Sequence, residues 1–213
     1  MRRIVDDNAE ASRIMLGLLD AVEHDRAQSQ RHLASELGIA LGLVNAYLKR
    51  CVKKGLVKIG EAPARRYAYY LTPQGFAEKS RLTVEYLSHS FSFFRQAKTE
   101  CSALFQAAKA DGVTEFLLVG RSDLAEIAAL CALEQGIEIV GLVQAGAGQE
   151  KFIGVPVFED FNAVTSPFAS VLVTDVVNAH RTYDSAVARF GSDRVLAPRM
   201  LRVRTPEQGE AAE

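Results

Sequence analysis

Apolar and polar residues follow three successive patterns along this chain. From Asn8 to about Asp25, apolar residues fall at Ile14, Met15, Leu18, Leu19 and Val22, the spacing of one helical face. Ser29 can cap a second helix, QRHLASEL, which ends at Gly38. A third helix runs from about Leu41 to Lys54 and stops at Gly55. Val44, Leu48 and Cys51 or Val52 form its inner face, which leaves Asn45, Lys49, Arg50 and Lys53 pointing outward. Two strands follow at 56–59 and 66–71, joined by GEAPAR, where Gly60 and Pro63 mark a loop.

The second pattern is one long helical period. Thr72 is a good cap, Pro73 suits the first helical position, and the period then continues to about Ala110 without a proline. Such a helix is about 57 Å long if straight, and a break near Ser88–Ser92 would divide it. Phe76, Leu82, Leu87, Phe91, Phe94, Leu104 and Phe105 give it more apolar surface than one small domain covers, which predicts pairing with a second copy; the alternative is packing within one chain.

From Gly112 strands alternate with helices. TEFLLVG (114–120), IEIVGLVQ (137–144), SVLVTD (170–175) and RVLA (194–197) are buried-strand runs; SDLAEIAALCALEQG (122–136) and AHRTYDSAVARFG (179–191) are helices between them. The pattern predicts an α/β chain: a winged helix-turn-helix over 1–72, a connector helix over 73–111, a small Rossmann-like parallel-sheet domain over 112–203, and a disordered tail over 204–213.

Charge changes the picture of the first part only. Residues 26–70 hold nine Lys/Arg against Glu36 and Glu61, so this window is +7 in a chain of net charge −1. A basic segment in an otherwise acidic chain points to an anionic partner for that segment. The third helix is narrow enough for a DNA major groove, and lysines and arginines at its end and on the following hairpin would neutralise phosphates. The predicted contacts to double-stranded DNA are Ser29, Gln30, Leu41, Gly42, Asn45, Lys49, Arg50, Lys53, Arg65 and Arg66, with Asn45 set to read an adenine edge. Winged helices also serve as interaction modules.

Residues SQRHLASELGIALGLVNAYLKRCVKKGLVKI, followed by RRYAYYLTPQGFAEKSRLTVEYL, resemble winged-helix regulators of the MarR type, in the branch associated with exopolysaccharide gene clusters. The resemblance covers about residues 10–100 and implies a DNA-binding transcription regulator, expected to be a repressor; the homodimer is the expectation that the connector helix carries. Two positions depart from it: Ala40 stands where a Ser or Thr usually caps the recognition helix, and Leu43 where a basic or polar residue is frequent.

In the second part, ligands of such sheets bind beyond the carboxyl ends of the strands. Gly120, Arg121, Ser122 and Asp123 follow the first strand, Gln144 the second, and Thr174 and Asp175 the third. The start of the helix at 122 is expected to offer free N–H groups and a partial positive charge, with Arg121 adding a full one. The other reading of Ser122 and Asp123 is that they only cap that helix. The dinucleotide fingerprint is reduced to Gly120, and Gln144 replaces the acid that would hold an adenosine ribose, which disfavours NAD. VGRSDLAEIAALCALEQGIEIVGLVQ, then KFIGVPVFEDF, resembles the N-terminal Rossmann-like domain of sugar acyltransferases acting on nucleotide-linked amino sugars. That resemblance implies a nucleotide or nucleotide-sugar effector, and the β-helix repeats that carry acyl transfer in that family have no counterpart here.

No catalytic or metal-binding motif emerges. His24, His32, His89 and His180 share no metal spacing; Asp175 and His180 lie near one strand end, as the two members of a general-base pair would, but a surface histidine is the simpler reading. Cys51, Cys101 and Cys131 are scattered, as small buried side chains are. Residues 1–16 lack an apolar core with a cleavage site, and no run approaches the roughly 20 apolar residues of a membrane span, so the expectation is a cytoplasmic protein without a membrane partner. Two function classes follow: a regulator with no enzymatic activity or cofactor, coupling DNA to a small-molecule effector, or an enzyme or enzyme subunit that uses the Rossmann-like domain, with the winged helix as an assembly module.

Overall fold

Each predicted helical period forms a helix, and the chain divides into two compact units, 1–91 and 92–213. This computed structural model describes residues 2–24, 29–62, 66–146 and 151–203, with side chains for 10–24, 29–60, 68–146 and 151–203. The first unit holds α1 (Arg2–His24), α2 (Gln30–Glu36), α3 (Leu41–Lys53), β1 (Val57–Ala62), β2 (Arg66–Leu71) and the first part of α4 (Pro73–Ala110). Leu18, Leu19 and Val22 of α1 meet Leu33 of α2, Val44, Leu48 and Cys51 of α3, and Leu82 of α4 in one buried cluster. Lys79 on α4 ties back to Asp20 and Glu23 on α1 through ion pairs.

Strands β1 and β2 form an antiparallel hairpin, and the unit is a winged helix-turn-helix. The hairpin corrects one expectation. Gly60 does not open a loop; it pairs with Ala68 and β1 continues to Ala62. The Tyr70 ring lies where a side chain at 60 would be, 2.8 Å from a Cβ built there, so glycine here serves packing and not a turn.

Helix α4 starts as expected. Thr72 Oγ1 accepts from Gly75 N at 3.0 Å and donates to Gly55 O at 2.6 Å, closing the helix start onto the loop before β1. The helix runs unbroken through Ser88–Ser92, and the boundary between the two units falls inside it rather than at its ends.

The second unit packs Ala97, Cys101, Phe105 and Ala108 of α4 against a six-stranded sheet in the order β5-β6-β4-β3-β7-β8. Its strands are β3 (Glu115–Val119), β4 (Glu138–Val143), β5 (Lys151–Phe152), β6 (Val155–Phe158), β7 (Ser170–Val173) and β8 (Val195–Leu196). Helix α5 (Asp123–Gln135) follows β3, and α6 (Ala179–Phe190) follows β7. Phe105 stands edge-on to Phe116 of β3, with ring centroids 5.0 Å apart. Five strands are parallel, as the alternating pattern predicts, but the sheet is mixed: β5 runs antiparallel to β6 at the edge. Neither was foreseen as a strand. They are joined by Ile153 and Gly154, both at positive φ (51° and 82°), the backbone of a primed hairpin turn.

The three thiols are buried and free. Burial pushes the Cys51 thiol up to about 11 and that of Cys101 up to about 12. No helix among the described residues is long and apolar enough to cross a membrane. No cluster of His, Cys, Asp or Glu among them is placed to hold a metal ion. Arg65 and the tail at 204–213 lie outside the described residues, and so does the side chain of Arg66.

Candidate functional site

The outer face of α3 is set by its inner one. Val44, Leu48 and Cys51 are buried, so Gly42, Lys49, Arg50 and Lys53 are exposed, together with Ala46. Leu41 and Leu43 are also exposed, at 40% and 39%. Asn45 is different: it is half-buried at the flank of this face, in a groove shared with Gln30, Lys49, Lys53 and the hairpin residues Ile59 and Tyr69. Gln30 Nε2 donates to the Tyr69 hydroxyl at 2.9 Å, which fastens α2 to the hairpin. Ser29 Oγ accepts from His32 N at 3.2 Å and so caps α2. Two of the predicted contacts thus already have intramolecular work. Ala46, which the charge pattern gives no reason to single out, is exposed one turn before Lys49 and Arg50 on the same face.

The start of α3 is open. Ala40 makes no side-chain cap, and Leu41 N and Gly42 N have no acceptor among the described residues. There is no acid in the first turn, and Arg50 and Lys53 lie in the last. The helix therefore presents both a partial positive end and fixed positive charges.

In the second unit the carboxyl ends of the strands border a cleft of about 380 Å³. Gly120, Gln144 and Asp175 line it; among the described residues Arg121, Ser122, Asp123 and Thr174 do not. The remaining walls come from Ala145, from Glu159, Asp160 and Phe161 beyond β6, and from Asn178, Arg181, Thr182 and Ser185 around α6. Glu159, Asp160 and Phe161 escape the sequence reading because β6 does not read as a strand, so the loop after it has no assigned place at the sheet's ligand edge.

The turn after β3 is built closed. Ser122 Oγ accepts from Leu124 N (3.1 Å) and Ala125 N (3.3 Å) and donates to Thr174 O. Gln144 Oε1 accepts from Arg121 N at 2.7 Å. The expected free N–H groups at this helix start are therefore largely occupied, by the cap and by the neighbouring strand end. Thr174 is fully buried, and its hydroxyl donates to Gly120 O at 2.6 Å. Gly120 holds φ +98°, and a Cβ there would lie 2.4 Å from Asp175 Cβ and 2.6 Å from its backbone N. The Arg121 guanidinium lies 5.2 Å from the Phe152 ring centroid, over β5.

Asp175 is likewise committed. Its Oδ1 accepts from Val177 N (2.9 Å) and Asn178 N (2.7 Å), and its Oδ2 from the Thr182 hydroxyl (2.9 Å), so it fixes the entry to α6. His180 is exposed and takes no part in these bonds.

The model of a winged helix-turn-helix DNA-binding family matches residues 12–58. No curated protein matches the chain. Among solved structures the chain is similar to the PcaV transcriptional regulator of Streptomyces coelicolor, crystallised with its natural ligand: 22% identity over 38% of this chain and 59% of that one, TM-score 0.36. The chain thus spans less than two thirds of that regulator's length. It is also similar to MepR, a transcription regulator of the Staphylococcus aureus multidrug efflux pump MepA, at 16% identity over 45% of this chain and 79% of that one, TM-score 0.36. A third likeness is to human N-acetylserotonin methyltransferase in complex with SAM, at 12% identity over 81% of this chain and 70% of that one, TM-score 0.28. At these scores none of the three structures bears on function. The winged helix-turn-helix is the part of the chain whose kind is shown.

Proposed function

We propose that the chain is a DNA-binding transcription regulator of MarR-like type, with α3 as its reading helix. One observation carries this: Lys49, Arg50 and Lys53 stand exposed on the outer face of a helix whose start is left uncapped, inside a winged helix-turn-helix matched by a DNA-binding family model. Phosphates bind such cations and such helix starts. Leu41 N and Gly42 N then meet one phosphate, and Lys49 and Lys53 others. Asn45 reads a base edge from the flank of the helix.

The regulator acts as a homodimer. Val84, Leu87 and Phe91 on α4 are 64%, 44% and 57% exposed, an apolar surface that a second copy would cover. Two reading heads match an inverted repeat, with half-sites about one DNA turn apart. The cleft at the sheet's carboxyl edge takes the effector, in the nucleotide or nucleotide-sugar class, and the resemblance to exopolysaccharide-associated regulators extends the proposal to polysaccharide genes.

The test is selection of duplexes from a random pool by the full chain, followed by sedimentation of the selected complex. The proposal predicts an enriched inverted repeat bound by two chains. It also predicts that Leu87→Glu with Phe91→Glu gives a monomer with a weakened complex. No enrichment above the starting pool would remove the DNA-binding reading; an enriched single half-site bound by one chain would remove the dimer.

A further inference from the structure

We infer that the cleft of the second unit takes the vicinal diol of a sugar ring, free or as the ribose of a nucleoside, and offers no seat to phosphate. This rests on the reading of that cleft as the effector site, and narrows it.

The phosphate seat of such sheets is the start of the first helix. Here Arg121 N is held by Gln144 Oε1, and Leu124 N and Ala125 N by Ser122 Oγ. Asp123 and Glu126 add two carboxylates to the first turn of α5. A phosphate would have to break those bonds and approach those charges. The charge of the cleft itself has the same sign, with Glu159, Asp160 and Asp175 set against Arg181.

The three carboxylates differ in what they have left to give. Asp175 has both oxygens engaged by the entry to α6. Asp160 Oδ1 accepts from Asn162 N (2.7 Å) and Ala163 N (3.0 Å). Glu159 makes no hydrogen bond or ion pair among the described residues, and it is exposed to the cleft. An ionised carboxylate only accepts, so its ligand must bring donors. Two adjacent hydroxyls satisfy both of its oxygens at once, with charge-assisted bonds. In the same cleft, the side chains of Asn178, Arg181 and Ser185 on and before α6 are also uncommitted among the described residues. They supply donors for the ring oxygen and the hydroxyl lone pairs. Phe161 adds an apolar flank, its ring held edge-on to Phe190 at 5.0 Å between centroids, against which a sugar face or a base can lie. A volume of about 380 Å³ is in the range of small-molecule sites. Where the ligand carries a diphosphate, that group projects out of the cleft.

The experiment is calorimetry on the full chain with uridine, adenosine, their 2′,3′-dideoxy analogues, methyl α-mannopyranoside, UDP, ADP, pyrophosphate and spermidine. The expected result is binding of a nucleoside or of the mannoside, which tells ribose from free sugar. A dideoxy analogue binds at least about tenfold more weakly than its parent, a diphosphate binds no tighter than its nucleoside, and pyrophosphate gives no heat. Glu159→Gln, at an exposed position where folding is not at stake, weakens the diol ligand about tenfold or more. Equal binding of a dideoxy analogue, preference for spermidine, or tighter binding of UDP, ADP or pyrophosphate with Glu159→Gln strengthening it would overturn the diol assignment while leaving an effector cleft. No heat from any compound, with DNA binding intact, would overturn the assignment and the effector half of the proposed function together, leaving the reading head.

Discussion

Helices α3 and α5 are each 13 residues long and begin in opposite ways. Before α3 stands Ala40, whose side chain caps nothing; before α5 stands Ser122, whose hydroxyl takes two N–H groups. The first turn of α5 carries Asp123 and Glu126, while that of α3 carries no acid. In one helix the positive end is neutralised inside the unit; in the other its first N–H groups have no acceptor among the described residues. The two sequences invite the reverse assignment. A glycine turn before α5 looks like an anion seat, and an alanine before α3 looks like a lost contact. A helix start becomes an anion site by what its cap leaves unpaired, and Ser122 leaves little.

Gly120→Val is expected to break the closed side of this comparison most severely. The added atoms meet Asp175 and the backbone sits at φ +98°. Strain of about 1–3 kcal/mol and overpacking of about 1–3 kcal/mol together should cost the second unit about 2–6 kcal/mol in urea unfolding. A loss under about 1 kcal/mol would mean that the turn is looser than its packing implies. Ser122→Ala removes the cap and the bond to Thr174 O. Its expected cost is about 1–2 kcal/mol by the same measurement. Ala40→Ser runs the other way. At φ −63° and ψ 140° the residue already has cap geometry, so the hydroxyl should add up to about 1 kcal/mol to the first unit. No gain there would indicate that the start of α3 is satisfied some other way.

The smallest effect reads both units at once. With thiols raised to about 11 and about 12, Cys51 and Cys101 stay protonated at pH 8, and both are buried. Iodoacetamide should therefore modify neither in the native chain. In Gly120→Val, Cys101 should react before Cys51, because only the second unit has been loosened. Mass spectrometry of the alkylated peptides checks the order, and simultaneous reaction would show that the two units unfold as one.

Most of the fold was legible because its signals are local. The cap at Thr72 with Pro73, the glycine after α5 and the period of α4 each fix a boundary within a residue or so. What was not legible depended on distant partners. Gly60 reads as a loop residue because nothing local reveals that the Tyr70 ring will cover it. The β5–β6 hairpin turns through Ile153–Gly154, without the Asn-Gly or Asp-Gly that announces a primed turn. With that hairpin unseen, Glu159 and Phe161 could not be placed at the cleft. On the DNA side, the alternation of buried and exposed positions gave Lys49, Arg50 and Lys53 their outward face. Spacing alone could not show that Asn45 sits half-buried beside the hairpin, or that Gln30 is tied to Tyr69.

The central claim is that the open, basic α3 binds DNA phosphates, and the most direct measurement is the salt dependence of duplex affinity. The full chain and its Lys49→Ala/Lys53→Ala variant would be titrated with one duplex by fluorescence anisotropy between about 50 and 200 mM salt, the range over which counterion release is steep. The account predicts a linear fall of log affinity with log salt for the native chain. The slope should become shallower by about 0.9 for each phosphate contact removed, near 1.8 per reading head in the double variant. Affinity that is indifferent to salt, or a variant whose slope matches that of the native chain, would contradict it.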